Sequence, residues 1–202
     1  MQETIVDLIR HGEPVGGRRY RGNGADDPLS AKGWSQMRSA LAGHAPWQQV
    51  ISSPMARCRE FAIELAGSRG LPLAVEPGLI EIGMGEWEGR THEAVAEADP
   101  ALFDAFYHDP LGIRPPGGEP LLAFQSRVAS AYARQVASHP GRHLLICAHA
   151  GVMRSLVGHL LGAQPKHWYR LRIDYAGIVR VRHGRFGPVI ECVNAPTLPG
   201  RK

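Results

Sequence analysis

Two apolar runs, far apart in the chain, each end in a histidine. Residues 4–13 read T-I-V-D-L-I-R-H-G-E, so Ile5, Val6, Leu8 and Ile9 lead straight into Arg10, His11, Gly12 and Glu13. Residues 143–151 read H-L-L-I-C-A-H-A-G and deliver His149 in the same way. An imidazole can serve as nucleophile, base or metal ligand near neutral pH. A guanidinium such as that of Arg10 offers a fixed fork of donors suited to phosphate or carboxylate. Gly12 carries no side chain, which lets a bound group approach the backbone. Arg57 follows S-S-P-M-A at the start of a helical pattern, where backbone amides are a ready anion site; an exposed arginine on a helix surface is the plainer alternative. Glu81, Glu86 and Glu88 sit in L-I-E-I-G-M-G-E-W-E-G-R-T, residues 79–91. Any of the three could act as a general acid, although most carboxylates are only solvated charge. The first tetrad alone reads equally well as a solvated strand end. A second histidine in the equivalent place favours a site.

The elements that must position these groups follow from periodicity. The β-branched run before Arg10 predicts a buried strand, and residues 49–53, 71–75 and 143–148 predict three more. In an open α/β sheet ligands collect at the carboxyl ends of strands, which is where both histidines fall. Ser30 predicts a helix N-cap, followed by an apolar face of Trp34, Met37, Ala40 and Leu41 to about Gly43. Residues 54–67 and 120–138 predict helices, and another starts directly after His149. Shorter helical patterns occupy 91–98 and 100–108, and a loop rich in Pro and Gly covers 109–120. Residues 91–120 are too short to bury a core of their own, so they predict an excursion from one domain spanning 1–202. Residues 178–181 and 189–193 predict a closing hairpin, and 194–202 a loose tail. Residues 14–28 are long and polar for a turn, which predicts a functional or a mobile loop.

Composition narrows the class. At 202 residues, with 44% hydrophobic content, the chain can bury a proper core. A formal charge of +4 and a pI near 9.2 fit a small anionic substrate. No run of Lys and Arg interleaved with aromatics points to nucleic acid. The densest basic cluster is Arg18, Arg19 and Arg21. No apolar run approaches the ~18 residues a membrane span needs. The first residues do not read as a signal peptide. Three cysteines without metal-ligand spacing predict reduced thiols, and hence a cytoplasmic protein.

The blocks together resemble the histidine phosphatase superfamily, in its phosphoglycerate-mutase-like branch. The resemblance rests on L-I-R-H-G-E, S-S-P-M-A-R, L-I-E with G-E-W-E-G-R-T, P-P-G-G-E with Phe124 and Arg127, and A-H-A-G-V, in that order from Ile5 to about Leu160. It implies a three-layer α/β sandwich with a mostly parallel central sheet flanked by helices. It also implies a phosphomonoesterase working through a phosphohistidine on His11, with Glu81 as proton donor and His149 as the second histidine. Arg10, Arg57, Gly12, Arg21 and Gly22 would bind substrate, and neither metal nor cofactor is expected. Within the superfamily the chain is most similar to the α-ribazole phosphatases, through the G-G-R-R-Y-R-G loop at 16–22 and P-L-S at 28–30. That similarity implies α-ribazole 5′-phosphate as substrate and a place in cobalamin biosynthesis. Phosphoglycerate mutase or sugar-bisphosphatase activity, and a phosphate-binding regulator without turnover, are the alternatives. Gly17, where mutases usually carry asparagine, argues against a mutase. The expected partner is a small phosphate monoester, without nucleic acid or membrane; a homodimer is compatible with the sequence. A cysteine phosphatase is the competing chemistry. That class spaces its cysteine and arginine one residue closer than Cys147 and Arg154, and Glu64 stands where Cys58 would need arginine.

Overall fold

Alternation along the strands sets the two faces of the sheet. The computed structural model describes residues 3–42 and 46–198. In strand β1, Thr4–Arg10, Val6 and Leu8 face one way and Ile9 the other. The strand in register beside it, His143–Ala148, repeats the division: Leu144, Ile146 and Ala148 join the first face, Leu145 and Cys147 the second. Both faces are apolar, so helices must cover both. Between these strands in sequence come β2 (Gln49–Ser52) and β3 (Leu73–Val75), which makes His143–Ala148 β4. A hairpin, β5 (Ile178–Gly184) and β6 (Gly187–Ala195), closes the sheet. The strand order is β3-β2-β4-β1-β5-β6. The first four are mutually parallel, and β5 runs antiparallel to both β1 and β6.

Helices α1 (Ala31–Ala40) and α2 (Ala56–Arg69) cover the Ile9 face through Met37, Phe61 and Leu65. The short helices α3 (His92–Ala98) and α4 (Pro100–His108) belong to the opposite layer with α5 (Leu121–Ser138) and α6 (Ala150–Leu160). Phe106 of α4 is fully buried there against Trp87 and Tyr169. Burying such a side chain stabilises by about 1.5–3 kcal/mol. The result is the expected three-layer sandwich on a mostly parallel sheet.

Element ends differ from the sequence reading in a few places. Ser30 caps α1 by accepting from the Gly33 amide, while the expected end near Gly43 lies outside the described residues. α2 starts at Ala56 and closes at Gly70, whose φ of 63° suits a residue without Cβ. β3 is shortened because Pro72 brings no amide donor to the ladder. The hairpin is longer than expected at both arms, so Asn194 and Ala195 belong to β6 and not to a tail.

Candidate active site

The pairing of β1 with β4 brings the two histidines together. Arg10 is in register with Ala148, and the His11 amide donates to the Ala148 carbonyl at 3.0 Å. The residues that follow each strand therefore leave the sheet side by side. The imidazoles of His11 and His149 meet edge to face with centroids 5.2 Å apart.

His11 Nδ1 lies 2.8 Å from the Gly12 carbonyl. A carbonyl only accepts, so Nδ1 carries the hydrogen and the neutral ring presents a lone pair at Nε2. Burial, reinforced by the charges of Arg10 and Arg57, pushes this imidazole well below its usual pKa. His149 is driven in the same direction by burial and by Arg57. Its Nε2 lies 2.7 Å from Ser53 Oγ, and its ring is fully buried behind His11.

Two guanidiniums flank the histidines. Arg10 donates from Nη1 to the Ile173 carbonyl at 2.7 Å and lies 4.1 Å over the Tyr175 ring. Burial lowers its pKa to about 10, which leaves it cationic at neutral pH. Arg57 is fully buried, with Nη1 donating to the Ala25 carbonyl and Nη2 to the Gly22 carbonyl, both at 2.9 Å. The Nε atoms of Arg10 and Arg57 are buried donors without a protein acceptor.

The three glutamates separate by environment. Glu81 lines the cavity, and its Oε2 accepts from the Gly151 amide at 3.1 Å, at the start of α6. Glu88 accepts from the amides of Asn23, Gly24 and Met84, and so folds the turn whose carbonyls hold Arg57. Glu86 is exposed. Arg127 fixes the backbone around Glu81 by donating to the carbonyls of Gly78, Ile80 and Glu81, while pairing with Glu119 at 2.7 Å.

Arg10, His11, Arg21, Gly22, Arg57 and Glu81 all line one cavity of about 370 Å³. Gly12 does not line it. A Cβ there would overlap the backbone of Gly33, so the close approach is that of α1 and not of a bound group. The α2 amides are also engaged differently from expectation, because Ala56 donates to Asp26 Oδ1 at 2.6 Å. Arg21 is itself tied to Asp27 at 2.9 Å and to the Val15 carbonyl. Gly22, at φ 54°, leaves room for the Glu88 carboxylate. Arg18 and Arg19 stand exposed at the cavity.

Other lining residues carry no signal in the sequence: His92 of α3, Tyr107 of α4, Arg154 of α6, and Tyr169 and Tyr175. The last two come from residues 161–177, which have no regular periodicity. Cys147 is fully buried, and burial pushes its thiol up to about 12; the Cys58 thiol is pushed up as well. Neither is a thiolate at neutral pH. Among the described residues no group of three or more His, Cys, Asp or Glu could hold a metal ion. None of their helices is long and apolar enough to cross a membrane.

Known proteins resemble this chain in sequence and in fold. A Mycobacterium tuberculosis protein described as bifunctional is 32% identical over 179 residues, covering 87% of this chain and 49% of the relative. The chain thus spans about half the length of that relative. The adenosylcobalamin/α-ribazole phosphatase of Salmonella typhimurium is 33% identical over 172 residues, covering 83% of this chain and 84% of the relative. The crystal structure of the α-ribazole phosphatase from Shigella flexneri superposes with a TM-score of 0.83 at 26% identity, covering 98% of this chain and 100% of that one. The family model of the histidine phosphatase superfamily, branch 1, matches residues 6–196. With that match spanning both strand-end histidines, the chain belongs to the histidine phosphatase superfamily.

Proposed function

We propose that the protein hydrolyses phosphate monoesters through a phosphohistidine at His11. The observation that carries this reading is buried His11, whose Nδ1 lies on the Gly12 carbonyl and so leaves Nε2 to attack, beside His149 and lining one cavity with Arg10 and Arg57. Nε2 attacks phosphorus, the N–P bond forms, and the ester P–O bond breaks. Glu81, entering as the acid, gives its proton to the departing alkoxide. The resulting carboxylate takes a proton from water as that water attacks phosphorus; the P–N bond breaks and inorganic phosphate leaves. Arg10 and Arg57 match the charge on the equatorial oxygens, and His149 packs edge to face against the nucleophile.

The substrate we infer is a small monoester, with α-ribazole 5′-phosphate as first candidate. The Salmonella relative bears that name, and the cavity is larger than a phosphoryl group alone requires. Turnover of p-nitrophenyl phosphate without added metal, followed by a panel including α-ribazole 5′-phosphate and 3-phosphoglycerate, tests the reading. His11→Ala should abolish turnover and Cys147→Ser should retain most of it. The reverse pattern would end the histidine mechanism.

A further inference from the structure

The aromatic side of the cavity has a construction of its own. Trp87, Tyr20 and His92 form a tier of rings: Tyr20 lies 5.1 Å from Trp87 and 4.1 Å from His92, the latter pair only 30° from parallel. Trp87 and Tyr20 are buried, whereas His92 is half-buried and is the outermost ring of the three. Tyr20 Oη lies 2.7 Å from Tyr107 Oη, which ties the tier to α4. Tyr20, His92 and Tyr107 all line the same cavity as His11 and Glu81. His92 Nδ1 is buried and has no hydrogen-bond partner within the protein. Its volume of about 370 Å³ falls in the range of pockets that hold drug-sized ligands, roughly 300–1,000 Å³.

We propose that His92, backed by Tyr20 and Trp87, is a stacking subsite for the planar base of a nucleoside-like leaving group. The inference rests on the phosphomonoesterase reading and adds to it the residues that choose the alcohol. An aromatic tier fixed from behind holds a base with little ordering cost, because its rings are already stacked and packed. Burial and the charge of Arg18 depress the His92 pKa, so the ring meets the base as neutral imidazole at pH 7.

Adenosine 5′-monophosphate and ribose 5-phosphate test this directly. They differ in the base while sharing the reacting ester and its charge, so Arg18 and Arg19 contribute little to the comparison. The wild-type protein should prefer the nucleotide in kcat/KM by at least about tenfold, in line with base stacking on aromatic side chains. His92→Ala should collapse that ratio toward one, and His92→Phe should restore it. The same ratio should appear in Kd when both compounds are titrated into His11→Ala by calorimetry. That arm needs no turnover, so a failed phosphatase reading and a failed subsite give different results. A wild-type ratio near one, or a ratio unchanged in His92→Ala, would overturn the proposal.

Discussion

At the residue scale, the site depends on donors and acceptors whose partners are fixed before any substrate arrives. Arg57 is the clearest case, because two backbone carbonyls aim its guanidinium and one carboxylate, Glu88, folds the turn that supplies them. Arg57→Ala should lower kcat about 10²–10³-fold, as for loss of a transition-state donor. Glu88→Ala should lower kcat through the same arginine without touching substrate. Its effect should therefore be largely absent when tested on top of Arg57→Ala; a full additional loss in that double variant would contradict a positioning role. That Arg10, His11, Arg57, Glu81 and His149 belong to one candidate cluster was legible in the sequence because each lies in a short block of recognisable order. The part played by Glu88 was not legible, since it depends on which amides face its carboxylate. Gly12 shows the same limit. Its lack of a side chain was visible, but the group exploiting it is the backbone of α1.

At the element scale, the parallel pairing of β1 and β4 generates the site, and two devices anchor β1 within the fold. One is the tight approach of Gly12 to Gly33, where a Cβ on either residue would overlap the other segment's backbone. Gly12→Ala should destabilise by about 1–3 kcal/mol, typical of overpacking, and should reduce turnover by displacing the carbonyl that orients His11. Retained stability in urea would argue against the close approach. The other device is Asp7, a fully buried carboxylate within β1. It accepts from Trp47 and lies 2.9 Å from His143 Nε2, while Arg180 donates to it at 2.6 and 3.0 Å. Burial raises its pKa, but hydrogen bonds from His143 and Arg180 and the nearby charge outweigh this and leave it lowered. Asp7→Asn removes the counter-charge of a buried arginine and should cost about 3–5 kcal/mol. The strands themselves were readable from their apolar runs. That an aspartate inside one of them meets residues 40, 136 and 173 positions away was not, because no local pattern encodes such a contact.

At the scale of the whole molecule, the fold keeps two imidazoles neutral beside two cations, and stability must register this. Folded His11 and His149 have depressed pKa values. As pH falls through the ordinary histidine range near 6.5, the unfolded chain takes up protons that the folded chain refuses, so stability declines. Each histidine can contribute a slope of up to about 1.4 kcal/mol per pH unit below that point. Unfolding free energy should fall between pH 7 and pH 5.5, and the fall should be shallower in a His11→Ala, His149→Ala double variant. Equal slopes would show that the imidazoles are not buried in neutral form. The three layers and the parallel core were legible in the order of apolar runs. The path of residues 161–177 was not: it runs through a 3-10 helix at Pro165–Arg170 and a φ of 57° at Ala176, and it supplies Tyr169 to the cavity and Ile173 and Tyr175 to Arg10. The most direct test of the central claim is to quench the protein during turnover of p-nitrophenyl phosphate and map the phosphorylated residue by mass spectrometry at alkaline pH. The account predicts one phosphoryl group on His11, lost on acid treatment and absent from His11→Ala. A phosphoryl group on a serine or on Cys147, or steady turnover with none on His11, would contradict it.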